Sequence, residues 1–380
     1  MNVLSLFDGM SCGQQALEKA GIKVNNYFAS EIDKYAIKVT MANYPNTIQL
    51  GSIVDVDGYK LPKIDLLIGG SPCQSFSFAG KRKGMSTKNE IEILTLEHYL
   101  ELKKDDYQFE GQSYLFWEFM RLLNEVKPKY FLLENVIMGE KWEKILSKAI
   151  GVNAIEINSS LLSAQNRRRL YWTNIGMVPA GLFGDLTSII QQPKDKNIYL
   201  KDILENEVPD KYYLSDAMIK RVNRSKHGYK SFQMNNKSLC LLSGYAKSGY
   251  DNQYIIHNTM PRSSQNGKGG TGALSRQDGK TYCLDTGNTN AIEIKAIKLG
   301  QSEAWGSPEK NDGKSYTICK EQPHGIVYDS KIRRFLPIEC ERLQTVKENY
   351  TNCVSDTQRY KMLGNGWTVD VIVHIFKYIN

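Results

Sequence analysis

The stretch IDLLIGGSPCQSFSF, residues 64–78, joins a short apolar run to a Ser-Pro-Cys-Gln turn. Apolar residues closed by two glycines read as a strand buried on both faces, as in a parallel sheet. In doubly wound sheets, ligands and chemistry collect beyond the carboxyl ends of the strands. Cys73 falls just past such an end, beside a rigid proline. Two readings stand here. A lone Cys is most often a small buried residue; a thiolate at a strand end is also a competent nucleophile near neutral pH.

The surrounding sequence repeats the same rhythm. NVLSLF (2–7), VNNYFASE (24–31), YFLLEN (130–135) and RLYWTNI (169–175) read as further strands. QQALEKAG (14–21) reads as a helix ending at Gly21, and LFWEFMRLLNEV (115–126) carries apolar residues on a helical period before Pro128. Alternating strands and helices predict an α/β fold, a doubly wound Rossmann-like sheet with helices on both faces. Residues 81–110 interrupt the pattern, and NEIEILTLEHYLELKK (89–104) predicts a charged amphipathic helix on a mobile excursion from the sheet. Residues 180–330 are rich in Gly, Ser, Asn and Tyr. There NKSLCLLSG (236–244), GKTYCLDTG (279–287) and GKSYTICKE (313–321) predict small hairpins, and QNGKGGTG (265–272) a loop. LPIECERLQTV (336–346) and TVDVIVHIFKYI (368–379) return to helical patterns. The expected division is a discontinuous first domain, 1–179 plus 331–380, and a smaller β-rich domain, 180–330.

Composition narrows the function. The 380 residues suffice for one large core or two modest ones. No apolar run reaches the length of a membrane span, and the start lacks the basic segment of a signal peptide. Seven cysteines without a C-x-x-C pair argue against a disulfide framework and against a zinc site, so no metal is expected and the compartment is a reducing cytoplasm. The net charge of +8 is local: residues 211–280 hold 12 Lys/Arg against 3 Asp/Glu, and the remainder is nearly balanced. A basic surface of that kind suits a polyanion, here nucleic acid.

Four motifs carry chemistry. LFDGMSCG (6–13) is a strand, a Gly-bearing turn and a helix start, without the G-x-G-x-x-G of dinucleotide folds. In SEID (30–33), Glu31 ends the second strand about 20 residues on, where a carboxylate binds ribose hydroxyls, and Ile32 is placed to cover an adenine. Together they suggest an adenosine-containing cofactor. LLENV (132–136) puts Glu134 at the next chemical edge. QNRRRLYW (165–172) places Gln165, Arg167 and Arg169 on one face of a strand by alternation; a surface ion-pair ladder is the plainer reading of any single one of those arginines.

SLFDGMSCG, GGSPCQSFSFAGKRKG, FLLENV, QNRRRLYWTN, LPIECERLQ and MLGNGWTVDVI stand in the order found in DNA cytosine-5 methyltransferases of the bacterial and phage type, which the chain resembles over about residues 1–176 and 331–380. The resemblance implies transfer of a methyl group from S-adenosylmethionine to C5 of a cytosine flipped out of a specific duplex DNA sequence. Cys73 would add to C6, Glu134 would serve N3 and the 4-amino group, and Arg167 would hold the base carbonyl, with Arg169 and Gln74 beside them. Phe7, Asp8, Gly9, Gly13, Glu31, Ile32, Ser52, Ile53, Pro72, Leu115, Asn365, Gly366 and Trp367 would line the cofactor site. Residues 180–330 would be the target-recognition domain, on an enzyme acting as a monomer on cytoplasmic DNA, as in restriction-modification systems.

The chain departs from the family's pattern in three places. Ser52 stands where an acidic residue usually binds the adenine amino group, with Asp55 nearby. The segment between Cys73 and GQSYLF is longer than usual. Gly366 and Trp367 follow Asn365 where small polar residues are common. Three other readings compete with the main one, of which a nicotinamide-dependent oxidoreductase is disfavoured by the missing glycine pattern. An RNA cytosine-5 methyltransferase of the same fold would show itself in an assay of both polymers. A catalytically silent DNA-binding relative predicts loss of Pro-Cys or Glu-Asn-Val, and both are present.

Overall fold

The computed structural model describes residues 1–72, 85–89, 91–180, 185–213, 215, 229–233, 237–241, 253–260, 274–276, 295–299 and 331–379. Cys73, Gln74, the loop 265–272 and the segments 279–287 and 313–321 lie outside the described residues, so the hairpins expected at those two segments do too.

A seven-stranded sheet organises the chain. Its strands are β1 (Asn2–Leu6), β2 (Asn26–Ser30), β3 (Ile48–Gln49), β4 (Leu66–Gly70), β5 (Tyr130–Val136), β6 (Ile155–Asn158) and β8 (Arg168–Thr173), with β7 (Gln165–Asn166) just ahead of β8. The spatial order is β3-β2-β1-β4-β5-β8-β6. The first five run parallel, and β8 is antiparallel to both neighbours. Alternation along each strand feeds two cores. Val3, Ala29, Leu66, Ile68 and Leu132 face one layer; Leu4, Leu6, Phe28, Leu67 and Leu133 face the other. Both faces are covered, which is why the strands read as near-continuous apolar runs.

On one face lie α1 (Cys12–Lys19) and the C-terminal helices α6 (Pro337–Leu343), α7 (Asp356–Asn365) and α8 (Val369–Phe376). Asp370 on α8 takes Lys19 from α1 and Lys196 from the segment between residues 189 and 199, so the tail closes on α1. Gly13 permits the contact of α1 with the sheet, because a Cβ there would lie 2.4 Å from Ile68 Cδ1 and 2.8 Å from the Tyr27 hydroxyl. The opposite face carries α4 (Phe116–Val126), which ends before Pro128 with Lys127 at φ 41°. The remaining helices are α2 (Lys34–Asn43), α3 (Leu96–Lys104) and α5 (Glu140–Ile150).

The excursion after the Cys73 segment is docked on this second face. Met85, Ile93, Tyr99 and Leu102 are buried in its core. The helix is shorter than expected, since Thr95 caps α3 by accepting from His98 N–H. Residues 86–89 and 91–93 are instead folded back on each other: Thr87 N–H donates to Ile91 C=O, and Ile93 N–H to Met85 C=O. Glu118, fully buried on α4, fixes α3 by accepting from the Tyr99 hydroxyl (2.6 Å) and from Lys103.

A hairpin of β9 (Met177–Ala180) and β10 (Asp185–Ser188) spans the expected boundary at 179. Ile190, Leu200 and Ile203 pack into the first core. Beyond them, β11 (Tyr229–Gln233), β13 (Gln253–Met260), β14 (Leu274–Arg276) and β15 (Lys295–Leu299) form an antiparallel sheet in the order β11-β15-β13-β14, and β16 (Lys331–Arg334) also pairs with β13. β12 (Ser238–Leu239) instead runs parallel to β7. Among the described residues, no helix is long and apolar enough to cross a membrane.

Where β16 meets α6, Arg333 and Glu339 form a two-pronged ion pair at 2.8 Å with both side chains fully buried; Glu339 also accepts from the backbone N–H of Leu336 and Glu205. Breaking a buried ion pair by removing one member is strongly destabilising. Glu339→Ala is therefore expected to cost about 3–5 kcal/mol in urea unfolding; a loss below about 1 kcal/mol would show that this pair does not hold the junction of β16 and α6.

Candidate active site

The turn from β1 into α1 is shaped by backbone conformation. Phe7, Gly9 and Ser11 have φ of 56°, 58° and 59°, a region where glycine is at ease and other residues need support. Glu31, at the end of β2, supplies part of it by accepting from Gly9 N–H (2.7 Å) with Oε2 and from Ile32 and Asp33 N–H (2.8 Å each) with Oε1. One lone-pair position of Oε2 remains for a ligand. Ile32 projects beside it, 71% exposed, which is unusual for an isoleucine with a core at hand. A Cβ on Gly9 would meet no atom within 4 Å, so the turn opens toward free space.

Asp8 does something different from the expected cofactor contact. Its carboxylate turns inward, accepting from the Tyr27 hydroxyl (2.7 Å) and from Ser11. Burial pushes the carboxyl up to about 6, against hydrogen bonds from Ser11, Ser5 and Tyr27 that favour the charged form. Gly13 is likewise committed to helix–sheet packing.

Ile53 is buried in the second core, and Phe7 and Leu115 pack half-buried against that core. Ser52 starts the short 3-10 turn Ile53–Asp55 without a side-chain capping bond, and Asp55 on that turn is exposed. Arg121, which sequence reasoning missed, holds the turn: its Nη2 donates to Ile53 C=O (3.1 Å), while Glu118 and Glu125 fix the rest of the guanidinium. The only trace of it in sequence is a polar position inside an apolar helix.

At the chemical edge, β4 and β5 place Gly70 opposite Glu134. Ser71 and half-buried Pro72 follow, leading to Cys73. Asn135 donates to Ser71 Oγ (3.0 Å) and Ser71 C=O (3.3 Å), clamping the start of that segment to β5. Glu134 is nearly buried. Its Oε1 lies 3.0 Å from Arg169 Nε, and its Oε2 accepts from Trp367 Nε1 at 3.2 Å. Burial would lower the Arg169 pKa, but Glu134, Cys240 and Tyr171 together outweigh it and keep the guanidinium firmly cationic.

Alternation holds through the arginine run: Gln165, Arg167 and Arg169 point inward, while Arg168 pairs with Glu156 at the surface. The two inner arginines have separate tasks. Arg167 does not reach Glu134; it donates to Leu241, Gly364 and Gly366 C=O and to Cys240 Sγ, all at 3.0–3.2 Å. It clasps the β12 segment to the turn after α7. Cys240 was not foreseen. Burial would raise its thiol, but Arg167 and Arg169 outweigh burial and hold it below its ordinary value. Gln165 is fully buried, and its carboxamide meets no partner among the described residues. Burial pushes the Cys12 thiol up to about 12, which leaves it inert at neutral pH. Asn365 is exposed, whereas Gly366 sits tightly against Met10 and Cys12. Among the described residues, no cluster of His, Cys, Asp and Glu is suited to a metal ion.

The profile of the C-5 cytosine-specific DNA methylase family matches residues 1–380. The chain belongs to that family. It is a DNA cytosine-5-methyltransferase. It is 28% identical to the orphan methyltransferase M.SPRI of Bacillus phage SPR, over 100% of this chain and 98% of that protein. It is also 28% identical to the type II methyltransferase M1.ScrFI of Lactococcus lactis subsp. cremoris, over 92% of this chain and 70% of the other. Among solved structures, the Entamoeba histolytica methyltransferase EhMeth superposes with a TM-score of 0.59 at 16% identity, covering 100% of this chain and 97% of the other. A mutant of Spodoptera frugiperda DNMT2 gives 0.57 at 18%, covering 99% and 98%. These structures share the Rossmann-like methyltransferase fold.

The buried Asp8 of this methyltransferase makes a pH prediction. With its pKa raised from 3.8 to about 6, the folded state binds more protons than the unfolded state in that window, so stability falls as pH rises through it. The shift corresponds to about 3 kcal/mol. Relative to wild type, Asp8→Asn should gain up to that amount between pH 4 and pH 7 in urea unfolding. Parallel pH profiles for the two proteins would show that Asp8 does not titrate in the fold.

Proposed function

We propose that this enzyme methylates C5 of a cytosine flipped out of duplex DNA, with Cys73 as nucleophile and S-adenosylmethionine as methyl donor. The observation that carries the reading is the Glu134 carboxylate, held at the edge of the sheet opposite the strand end that leads into Ser-Pro-Cys.

A base inside the helix is out of reach of that edge, so it must leave the stack. The Cys73 thiolate then bonds to C6, and the displaced electron pair makes C5 nucleophilic. Glu134 meets the charge that builds toward N3 by hydrogen bonding and proton transfer. Arg169 lies beside Glu134 and is the better-placed donor for the base carbonyl, because the inward donors of Arg167 are engaged by backbone carbonyls. S-adenosylmethionine supplies an electrophilic methyl sulfonium for C5. A base afterwards removes the C5 proton, the electron pair restores the C5–C6 double bond, and the thiolate leaves.

Residues around the first turn fit an adenosine carrying an amino-acid tail. Glu31 retains an acceptor position for the ribose, exposed Ile32 offers an apolar face, and the open turn at Gly9 admits close approach. Ser52, Ile53, Pro72, Leu115, Asn365 and Gly366 would complete that surface. Residues 180–330 would read the DNA sequence, supported by their basic excess. The catalytic unit would be 1–179 with 331–380.

Cys73→Ala is expected to abolish methyl transfer while DNA binding persists. Wild type should form a denaturation-resistant adduct on DNA carrying 5-fluorocytosine at the target, because fluorine cannot leave as a cation. Undiminished turnover in the Ala variant, or an adduct on another residue, would remove the mechanism. Methylation of RNA but not duplex DNA would redirect the substrate reading.

Ser52→Asp should tighten S-adenosylhomocysteine binding about 5-fold in calorimetric titration, since a carboxylate is the stronger acceptor for an adenine amino group. Equal or weaker affinity would place Ser52 away from the adenine.

A further inference from the structure

Glu134 has a cation at one carboxylate oxygen and a hydrogen-bond donor at the other, and the donor comes from an unexpected place. Trp367 lies in the turn between α7 and α8, and its indole N–H reaches Glu134 Oε2. The turn is braced from behind. Gly366 C=O accepts from Arg167 and from Gln344, and Gln344 also bonds Leu363 C=O and Thr368. Thr368 in turn takes Ser159. The indole is therefore presented by a fixed scaffold.

Gly70 makes room for the contact. A Cβ there would lie 2.9 Å from Trp367 Nε1 and 3.2 Å from Glu134 Oε2. The backbone at Gly70 is not left-handed, so conformation does not demand glycine here. Space does. Three separate elements, β4, β5 and the α7–α8 turn, thus converge on one hydrogen bond.

We propose that Trp367 is a positioning residue for Glu134, setting the plane of its carboxyl group jointly with Arg169. An indole N–H only donates, so it selects an acceptor oxygen and resists rotation of the carboxyl group. Arg169 on Oε1 and Trp367 on Oε2 leave the remaining carboxyl positions to face an incoming pyrimidine edge, one accepting from the 4-amino group and one carrying the proton for N3. This inference rests on the reading that Glu134 serves the base. It differs from the expectation that Trp367 is only a wall of the cofactor site.

Trp367→Phe keeps the ring and removes the donor. With cofactor and DNA saturating, its single-turnover methyl-transfer rate should fall about 10-fold, the scale of a hydrogen bond to a charged group. Affinity for S-adenosylhomocysteine should stay within about 2-fold, which also reports a folded protein. Gly70→Ala, acting from a different strand, should give a similar loss. The double variant should be about as slow as either single one, because both break the same contact. Full rate in Trp367→Phe, or a defect confined to cofactor affinity, overturns the proposal. So do losses that multiply in the double variant. Failure of wild type to form the 5-fluorocytosine adduct would instead bring down the reading of the site on which this rests.

Discussion

The parallel register of β4 against β5 is the constraint on which the active edge depends. It sets Gly70 across from Glu134 and brings Ser71 within reach of Asn135. A shift of one residue would turn the Glu134 side chain to the other face of the sheet. The register is held by two layers of apolar side chains, since Leu67 and Leu133 point into one core while Ile68 and Leu132 point into the other. The placement of Glu134 at the rim thus borrows its precision from packing in the interior.

The charges at that rim are distributed by the same geometry. β8 runs antiparallel to β5, so Arg169 comes alongside Val136 and its guanidinium reaches back to Glu134. Arg167 comes two residues earlier, beyond the end of β5. There it finds carbonyls from the α7–α8 turn and from the segment of β12. Two arginines on one face of one strand acquire different work because their neighbours differ. One answers a carboxylate; the other ties the polypeptide that leads toward the second sheet to the body of the first.

A second ionic chain stabilises the opposite layer. Glu118 is shared by Tyr99, Lys103 and Arg121, and Arg121 passes on to Glu125 and Ile53 C=O. Both oxygens of the buried Glu118 carboxylate are hydrogen-bonded, which lets the core tolerate the charge. The excursion after the Cys73 segment and the turn that follows Ser52 are thereby anchored to one helix, α4.

The α/β class and the packing of the C-terminal helices back against the sheet were legible in sequence. Period and punctuation report them locally: IDLLIGG ends in glycines, LFWEFMRLLNEV stops before Pro128, and TVDVIVHIFKYI carries an apolar stripe. The pairing of Glu134 with Arg169 instead of Arg167, the inward turn of Asp8, the docking of α3 on Glu118 and the reach of Trp367 to Glu134 were not. Each joins residues 15 to 233 positions apart, or turns on which buried neighbour a side chain finds. Local pattern determines which face of an element is apolar and where that element ends. Only the folded chain decides which polar groups then meet, because a buried charge takes whatever partner the packing brings within bonding distance.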